Sequence, residues 1–502
     1  MHVLNSNILL KYLGRVIHST FPNLYIIVSL FIFLGCNKIE SLPDIDASAL
    51  VIESFVFEKK NNPHLKEDVV FMIDDHVISG QLNNYFFNSI PTFNSNAFQV
   101  FVNGVEQNSG KSSVDFRKPI TYTLKSASGK VKEYEVEIEW DTKLAQIIVN
   151  TKGGSPITSK EDYLEADIII DGQDQYSNLD IKGEIKGRGN STWGFPKKPY
   201  KIKLESKQPV LGLKPEKSWV LLANYLDGTH LLNAVAMKIG QLLEMPFTNT
   251  IIPVELTVNN EYLGLYMLTE QIEVKTNRVD VDDEGMLLEL DTNFDEKWQF
   301  KSKVFDLPVL VKFPEDVNGL NKAKNHFEML EELIASDDFP NNSYLDYIDA
   351  NSVANYLIVY MLTANREINH PKSTYIHKRS TGKFTMGPIW DFDWAFSYSH
   401  PNRHFVDYDS PLFIASSGKG TDFFSRFLED PKIQVLLKEK WANFRAENFD
   451  DLLSYIEEYS FLIEGAKARD YEVWSKSGSD VKGLEEWLER RSTYMTTFIN
   501  GL

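Results

Sequence analysis

Cysteine is almost missing from this chain: there is one, Cys36, in 502 residues. A lone cysteine excludes an intrachain disulfide and any cysteine-based zinc module, so stability has to come from packing. Positive charge is also short, with 52 lysines and arginines against 71 acidic residues and a formal net charge of −19. A chain of that sign repels phosphate backbones, which sets nucleic-acid binding aside. There is no internal repeat and no low-complexity linker. What is abundant is hydrophobic and aromatic residues, 43% and 13% of the chain. That composition excludes disorder as the main state, and at about 100 to 200 residues per domain it predicts two to four domains, each with its own core.

Residues 1–35 contain Lys11 and Arg15 and no acidic residue, followed by an apolar run from Leu24 to Leu34 interrupted only by Ser29. This is the charge-then-apolar order of a signal peptide. The run falls short of the roughly 20 apolar residues of a membrane span. It ends Phe33-Leu34-Gly35-Cys36, which resembles a bacterial lipobox, where the cysteine becomes the acylated N-terminus. Phe33 stands where leucine is usual. The competing reading is a buried cysteine at a helix end. The expectation is a lipid-anchored protein of the bacterial cell envelope, at the outer membrane or cell surface.

Residues 36–142 read as a small β-sandwich, with alternating strands expected at Val51–Phe57, Val69–Ile73, Phe98–Val102, Thr121–Lys125 and Tyr134–Trp140. Asn103-Gly104 is a hairpin signal, because both residues tolerate positive φ. The run Asp115 to Pro119, with Tyr122-Thr123-Leu124 and Tyr134-Glu135-Val136, resembles the Ig-like modules of exported lipoproteins, which mostly act as spacers. From Lys143 to the end the texture is α+β. Strands are expected at Ile147–Asn150, Ala166–Ile170, Ile181–Lys186 and Tyr200–Leu204, and a hairpin turns at Asn259-Asn260. Apolar residues at helical spacing predict helices over His230–Leu243, Lys322–Ala335 and Val353–Asn365, with Thr229 as an N-cap of the first and a largely helical tail from Thr421.

Two local patterns carry chemistry. Lys186-Gly187-Arg188-Gly189-Asn190-Ser191-Thr192-Trp193 ends a strand with two glycines, a guanidinium and two hydroxyls, a set that can present donors to phosphate oxygens. The plain alternative is a glycine turn with a surface arginine. Lys201 and Lys203 follow, on one face of a strand, where lysines also serve to protect an exposed edge. Trp390-Asp391-Phe392-Asp393-Trp394, if extended, puts both carboxylates on one face about 7 Å apart. Such a pair suits Mg²⁺ or Mn²⁺ carrying a nucleotide phosphate; the alternative is a chance pair of surface aspartates.

Together with Lys197–Leu204, Leu221–Asp227, Glu261–Gln271 and Gly285–Asp291, these stretches resemble the CotH (spore coat protein H) kinase family, over roughly residues 143–500. The resemblance implies an atypical protein kinase-like domain that transfers the γ-phosphate of ATP to protein Ser/Thr hydroxyls with a divalent metal. It implies that Arg188 and its loop cradle the phosphates and that Lys201 or Lys203 pairs with them. It also implies that Leu268–Gln271, Glu270 included, forms the hinge beside adenine. Asp391 matches the metal-binding aspartate and Asp393 assists it. Asp227 and Glu255 are acidic candidates for holding the nucleotide lysine, against capping or surface roles.

The chain departs from the family pattern at two places. The expected catalytic-loop aspartate is absent from Asn365–Tyr375, where Glu367 is the replacement carboxylate and Asn369 or His370 a contributor. Leu231-Leu232-Asn233 lacks the arginine usual before the asparagine. The rival reading is therefore a catalytically degenerate kinase-fold scaffold or adhesin that binds a protein or glycan. A third, a polysaccharide-processing enzyme, requires two carboxylates facing each other across a cleft.

Overall fold

The computed structural model describes residues 45–63, 65–82, 87–399, 403–413, 418–475 and 480–502; the segment expected to be a signal peptide and Cys36 lie outside them. Among the described residues no helix is long and apolar enough to cross a membrane. The chain is mixed helix and sheet, and its N-terminal part is built of sheet.

Up to Trp140 the chain makes a three-stranded sheet, β2 (Val69–Val70), β1 (Ile52–Phe57) and β6 (Thr92–Ser95). A six-stranded sheet follows the order β3 (Met72–Asp74), β4 (Val77–Leu82), β11 (Val131–Trp140), β10 (Ile120–Lys125), β7 (Gln99–Val102) and β8 (Val105–Glu106), and β5 (Asn88–Ser89) pairs with β9 (Val114–Asp115). The alternation of apolar residues dictates one shared core: Phe55 and Phe57 from the first sheet meet Tyr122 and Phe116, with Phe55 and Tyr122 edge to face at 5.3 Å. The expected Val69–Ile73 strand is broken in two, because its halves pair in different sheets.

Next comes a closed seven-stranded barrel in the order β12 (Ala145–Thr151), β13 (Leu164–Asp171), β14 (Leu179–Gly187), β15 (Tyr200–Gln208), β16 (Glu216–Leu222), β18 (Glu261–Glu270) and β17 (Ile252–Val258). All pairs are antiparallel except the closure, where Ala145 to Val149 run parallel to Val254 to Val258. Alternate residues such as Ile147, Ile168, Ile185, Ile202, Trp219 and Val254 fill the interior, so this barrel is a packed core. Asn259 and Asn260 take φ of 50° and 67°, the double left-handed turn that matches strand twist in a two-residue hairpin.

A five-stranded antiparallel sheet follows, in the order β20 (Gln299–Lys301), β21 (Pro308–Phe313), β19 (Met286–Leu290), β22 (Thr374–Lys378) and β23 (Phe384–Met386). It shares a third and largest core with α1 (Leu232–Leu242), α2 (Val317–Ala335), α3 (Ala350–Leu362), α4 (Lys419–Phe424), α5 (Pro431–Asn443), α6 (Phe449–Trp474) and α7 (Val481–Asn500). Helix α3 is buried over most of its circumference, as an all-round apolar helix must be. Thr229 is not the cap of α1. The buried Asp227 carboxylate takes that place, accepting from the amides of Leu232 at 2.9 Å and Thr229 at 2.8 Å.

Helix α6 ties the parts together. Its Phe461 packs edge to face on Phe87 at 4.9 Å and its Glu457 meets Arg117 at 2.8 Å, so the N-terminal sheets rest against it. Deeper in the same helix, Asp470 accepts from the Leu265 amide of the barrel at 2.8 Å and from the buried Lys197 ammonium at 2.5 Å.

Candidate active site

A cleft of about 420 Å³ opens between the barrel and the five-stranded sheet. The barrel supplies its basic side. Strand β14 buries Ile181, Ile185 and Gly187, and the chain turns at Gly189, whose φ of +84° glycine alone adopts freely. A Cβ on Gly187 would lie 2.2 Å from the Trp193 ring, so the tryptophan folds flat over the strand end and fixes the loop. That places Arg188 in the cleft, its guanidinium 5.3 Å from the Trp390 ring centre. Burial lowers its pKa while Asp391, Tyr375, Glu289 and Asp393 oppose the shift. Lys201 is the cross-strand partner of Lys186. Burial pushes the Lys201 ammonium down to about 8, against the pull of Glu273 and with repulsion from Lys186 and Arg188.

The opposite side is acidic. Asp391 and Asp393 both line the cleft, but Trp390–Trp394 is not a strand. Asp391 takes a left-handed φ of 62° and the segment runs on as a turn. Phe392 and Trp390 are buried in the third core, with the helices. Asn233 of α1 fixes the turn: its Oδ1 accepts from the Phe392 amide at 2.9 Å and its Nδ2 donates to Asp393 at 2.6 Å. Burial, then the neighbouring Asp391, pushes the Asp393 carboxyl upward; burial also raises Asp391, against the pull of Arg188. Glu367 sits in a single 3-10 turn, Arg366–Asn369, with its carboxylate 4.0 Å from the Lys372 ammonium. Burial and then Asp391 raise its pKa to about 8. Asp291, just past β19, completes the acidic side and accepts from the amides of Asn293 and Ser373.

Four carboxylates thus crowd around two cations, Arg188 and Lys372. Among the described residues no group of three His, Cys, Asp or Glu has the arrangement of a complete metal site. The donor chemistry nevertheless fits Mg²⁺ or Mn²⁺. Such ions take hard oxygen ligands, and Mg²⁺ commonly uses one or two carboxylates and leaves its other positions to water and substrate phosphates. The raised pKa values mark carboxylates held together at an energetic cost that a cation would relieve.

Of the residues singled out from the sequence, Arg188, Lys201, Glu367, Asp391 and Asp393 meet in this one cleft. Lys203 does not: it is exposed outside and pairs with Glu184 at 3.7 Å. Glu270 does not line the cleft although its neighbours Gln271 and Ile272 do; its carboxylate accepts from the Thr250 amide. Glu255 is engaged elsewhere, by Arg469 at 2.7 Å and by Tyr262. Asn369 is structural, bonded to Arg366, Leu412 and Thr421, and His370 points to solvent.

Sequence reasoning gave no role to Glu289, Lys312 and Tyr375, which form the cleft wall below Arg188. Burial pushes Glu289 up to about 7, against the ammonium of Lys312 at 3.5 Å. The signal was present, since a glutamate interrupts the otherwise apolar run Met286-Leu287-Leu288-Glu289-Leu290, all of it buried.

No curated protein gives a significant match. Among solved structures, a Bacteroides thetaiotaomicron protein proposed to be a glycoside hydrolase aligns over 57% of this chain and 89% of its own, at 15% identity and a TM-score of 0.15, a similarity that carries no argument. The family model described as CotH kinase protein matches residues 185–495, from the end of β14 into α7, and takes in every residue lining the cleft except Lys160 and Glu161. The chain belongs to the CotH kinase family.

Proposed function

We propose that the cleft binds ATP with Mg²⁺ or Mn²⁺ and transfers the γ-phosphate to a Ser or Thr hydroxyl of a protein substrate, within an atypical kinase-like fold. ATP and metal use is what family membership implies in general. The observation that carries the reading is the juxtaposition, across one cleft, of Arg188 and Lys201 with Asp391 and Asp393. Arg188 offers its planar fork of donors to phosphate oxygens, steadied by Trp390. Lys201 adds a charge that burial leaves poorly solvated, and so readily given to an anion. Asp391 and Asp393 would hold the cation, which neutralises charge on the β- and γ-phosphates when bound. Glu367 would accept the hydroxyl proton in its ionised form, which burial disfavours and a bound cation would favour. The oxygen–phosphorus bond to the acceptor forms as the bond to ADP breaks, and the proton passes to the Glu367 carboxylate. The test is transfer of label from [γ-³²P]ATP to protein by residues 37–502 with Mn²⁺ or Mg²⁺.

One observation favours a second reading. Glu367 stands where active relatives are expected to carry aspartate, and its longer side chain is engaged near Lys372. Nucleotide binding without transfer would mark a degenerate kinase-fold scaffold.

The state of Lys201 sets a pH dependence. Charged below about 8 and neutral above it, Lys201 loses its attraction for phosphate as pH rises. ATP affinity is expected to fall by about tenfold between about pH 7 and about pH 9.5, and the Lys201→Gln variant to lose that fall, keeping only what the raised Glu367 and Asp393 carboxyls contribute to the same titration. The stability trend is opposite. Between about 8 and the ordinary value of 10.5 the unfolded chain holds a proton that folded Lys201 does not, so the contribution of Lys201 to stability rises with pH there.

The charge order of residues 1–35 and the Phe33–Cys36 motif support a lipid anchor on Cys36 and an envelope location, with the N-terminal sheets as an Ig-like module between membrane and cleft. Cys36→Ser is expected to abolish labelling of the protein by radioactive palmitate in the native bacterium; labelling that persists would remove the anchor.

A further inference from the structure

Asn224 is buried, 3% exposed, on the loop between β16 and α1, and it lines the cleft. Its Nδ2 is shielded from solvent and has no hydrogen-bond partner among the described residues. An amide oxygen and nitrogen are exchangeable on shape alone, so the assignment must come from the network. Here the network fixes it. Asn233 cannot flip, because its Oδ1 must accept from the Phe392 amide and its Nδ2 must donate to Asp393. The same Nδ2 donates its other hydrogen to Asn224 Oδ1, 3.3 Å away, so the opposite end of the Asn224 amide is the donor. Buried donors without acceptors are rare and costly, and one at a cleft wall points to an acceptor that comes with a ligand. The backbone there is specialised too: Asn224 has a φ of 46°, in the left-handed region that asparagine tolerates better than most residues.

We propose that Asn224 is a phosphate-contacting residue of this cleft, its Nδ2 donating to an oxygen of the nucleotide's triphosphate. The proposal rests on the nucleotide reading above. Metal-bound water is a poorer partner, because it turns its hydrogens outward and would present a donor to a donor. A phosphate oxygen presents lone pairs. The chain Asn224–Asn233–Asp393 would then join the phosphate contact to the carboxylate pair through two side-chain amides.

Two variants separate this role from a structural one. Asn224→Gly removes the amide at a backbone conformation that glycine adopts freely. Asn224→Asp keeps the shape and the acceptor for Asn233 but sets an oxygen against the phosphate. Affinities for ATP and for inorganic tripolyphosphate, each with Mn²⁺, would be measured by calorimetry, alongside Mn²⁺ alone and adenosine alone, with melting temperatures as a check on folding. The expected loss for both phosphate probes is about 10- to 100-fold in the glycine variant, and larger in the aspartate variant. Adenosine binding should be unchanged, and Mn²⁺ alone should bind the aspartate variant at least as well as the parent. A purely structural Asn224 predicts the reverse order, with aspartate rescuing what glycine loses. An aspartate variant that holds ATP like the parent overturns the proposal alone. A parent that binds neither ATP nor tripolyphosphate overturns it together with the nucleotide reading.

Discussion

Asp391→Asn is expected to abolish label transfer, by on the order of a thousandfold, and at the same time to raise the melting temperature. The first effect follows from the site: Asp391 faces Arg188 and lies beside Asp393 and Glu367, where a cation would be held. The second follows from burial, which already disfavours the charged carboxylate and raises its pKa. An amide carries no charge to desolvate, and asparagine tolerates the left-handed φ of 62° at this position. Relief of the repulsion should stabilise the fold by about 1 kcal/mol, as is usual when a strained functional group is neutralised. Radiolabel incorporation and differential scanning calorimetry on parent and variant check both halves. Transfer that survives the substitution would remove Asp391 from the site. A lower melting temperature would mean that its main task is to hold Arg188.

How much of this was legible in the sequence depends on how local the cause is. The turn at Asn259-Asn260 and the strands flanking it were readable, since two left-handed residues and alternating apolar neighbours are all that is required. Closure of the barrel was not, because β12 pairs with β17 across more than a hundred residues with no local mark. At Trp390–Trp394 the expectation was right about place and wrong about form. Aromatics alternate with aspartates, but the alternation arises from a turn that drops Trp390 and Phe392 into the helical core. Lys203 shows the limit of face arguments. It shares a face with Lys201, yet each strand residue advances about 3.3 Å, and two residues further along carries it past the rim to Glu184. Asn224 and Asn233 lay inside motifs that were recognised, but a hydrogen-bond role read from three segments far apart in sequence could not be seen there.

Lys197→Met is expected to lower folding stability by about 3 to 5 kcal/mol, the largest stability loss of any single change considered. Lys197 lines the cleft at its base, which makes it a rival to Lys201 as the nucleotide lysine, and its side chain decides the matter by where it points. The ammonium is 1% exposed and lies 2.5 Å from both Asp470 Oδ1 of α6 and the Leu265 carbonyl. Burial lowers the lysine and raises the aspartate, but the close contact, with the Leu265 amide donating to the same oxygen, argues for an ion pair. The contact is built for: Gly264 has a φ of +91°, and a Cβ there would come within 2.2 Å of Asp470 Oδ1. Removing the lysine strands a buried carboxylate, which costs far more than the intact pair contributes. The double variant Lys197→Met/Asp470→Asn keeps an acceptor for the Leu265 amide and removes the stranded charge, so it should recover about half of the loss. Urea unfolding of the single and double variants measures this coupling. A single variant that keeps its stability and loses ATP would move the nucleotide lysine from Lys201 to Lys197. A single variant that unfolds early and regains stability in the double would identify Lys197–Asp470 as the clasp by which the C-terminal helices hold the barrel and the loop that carries Arg188 in place.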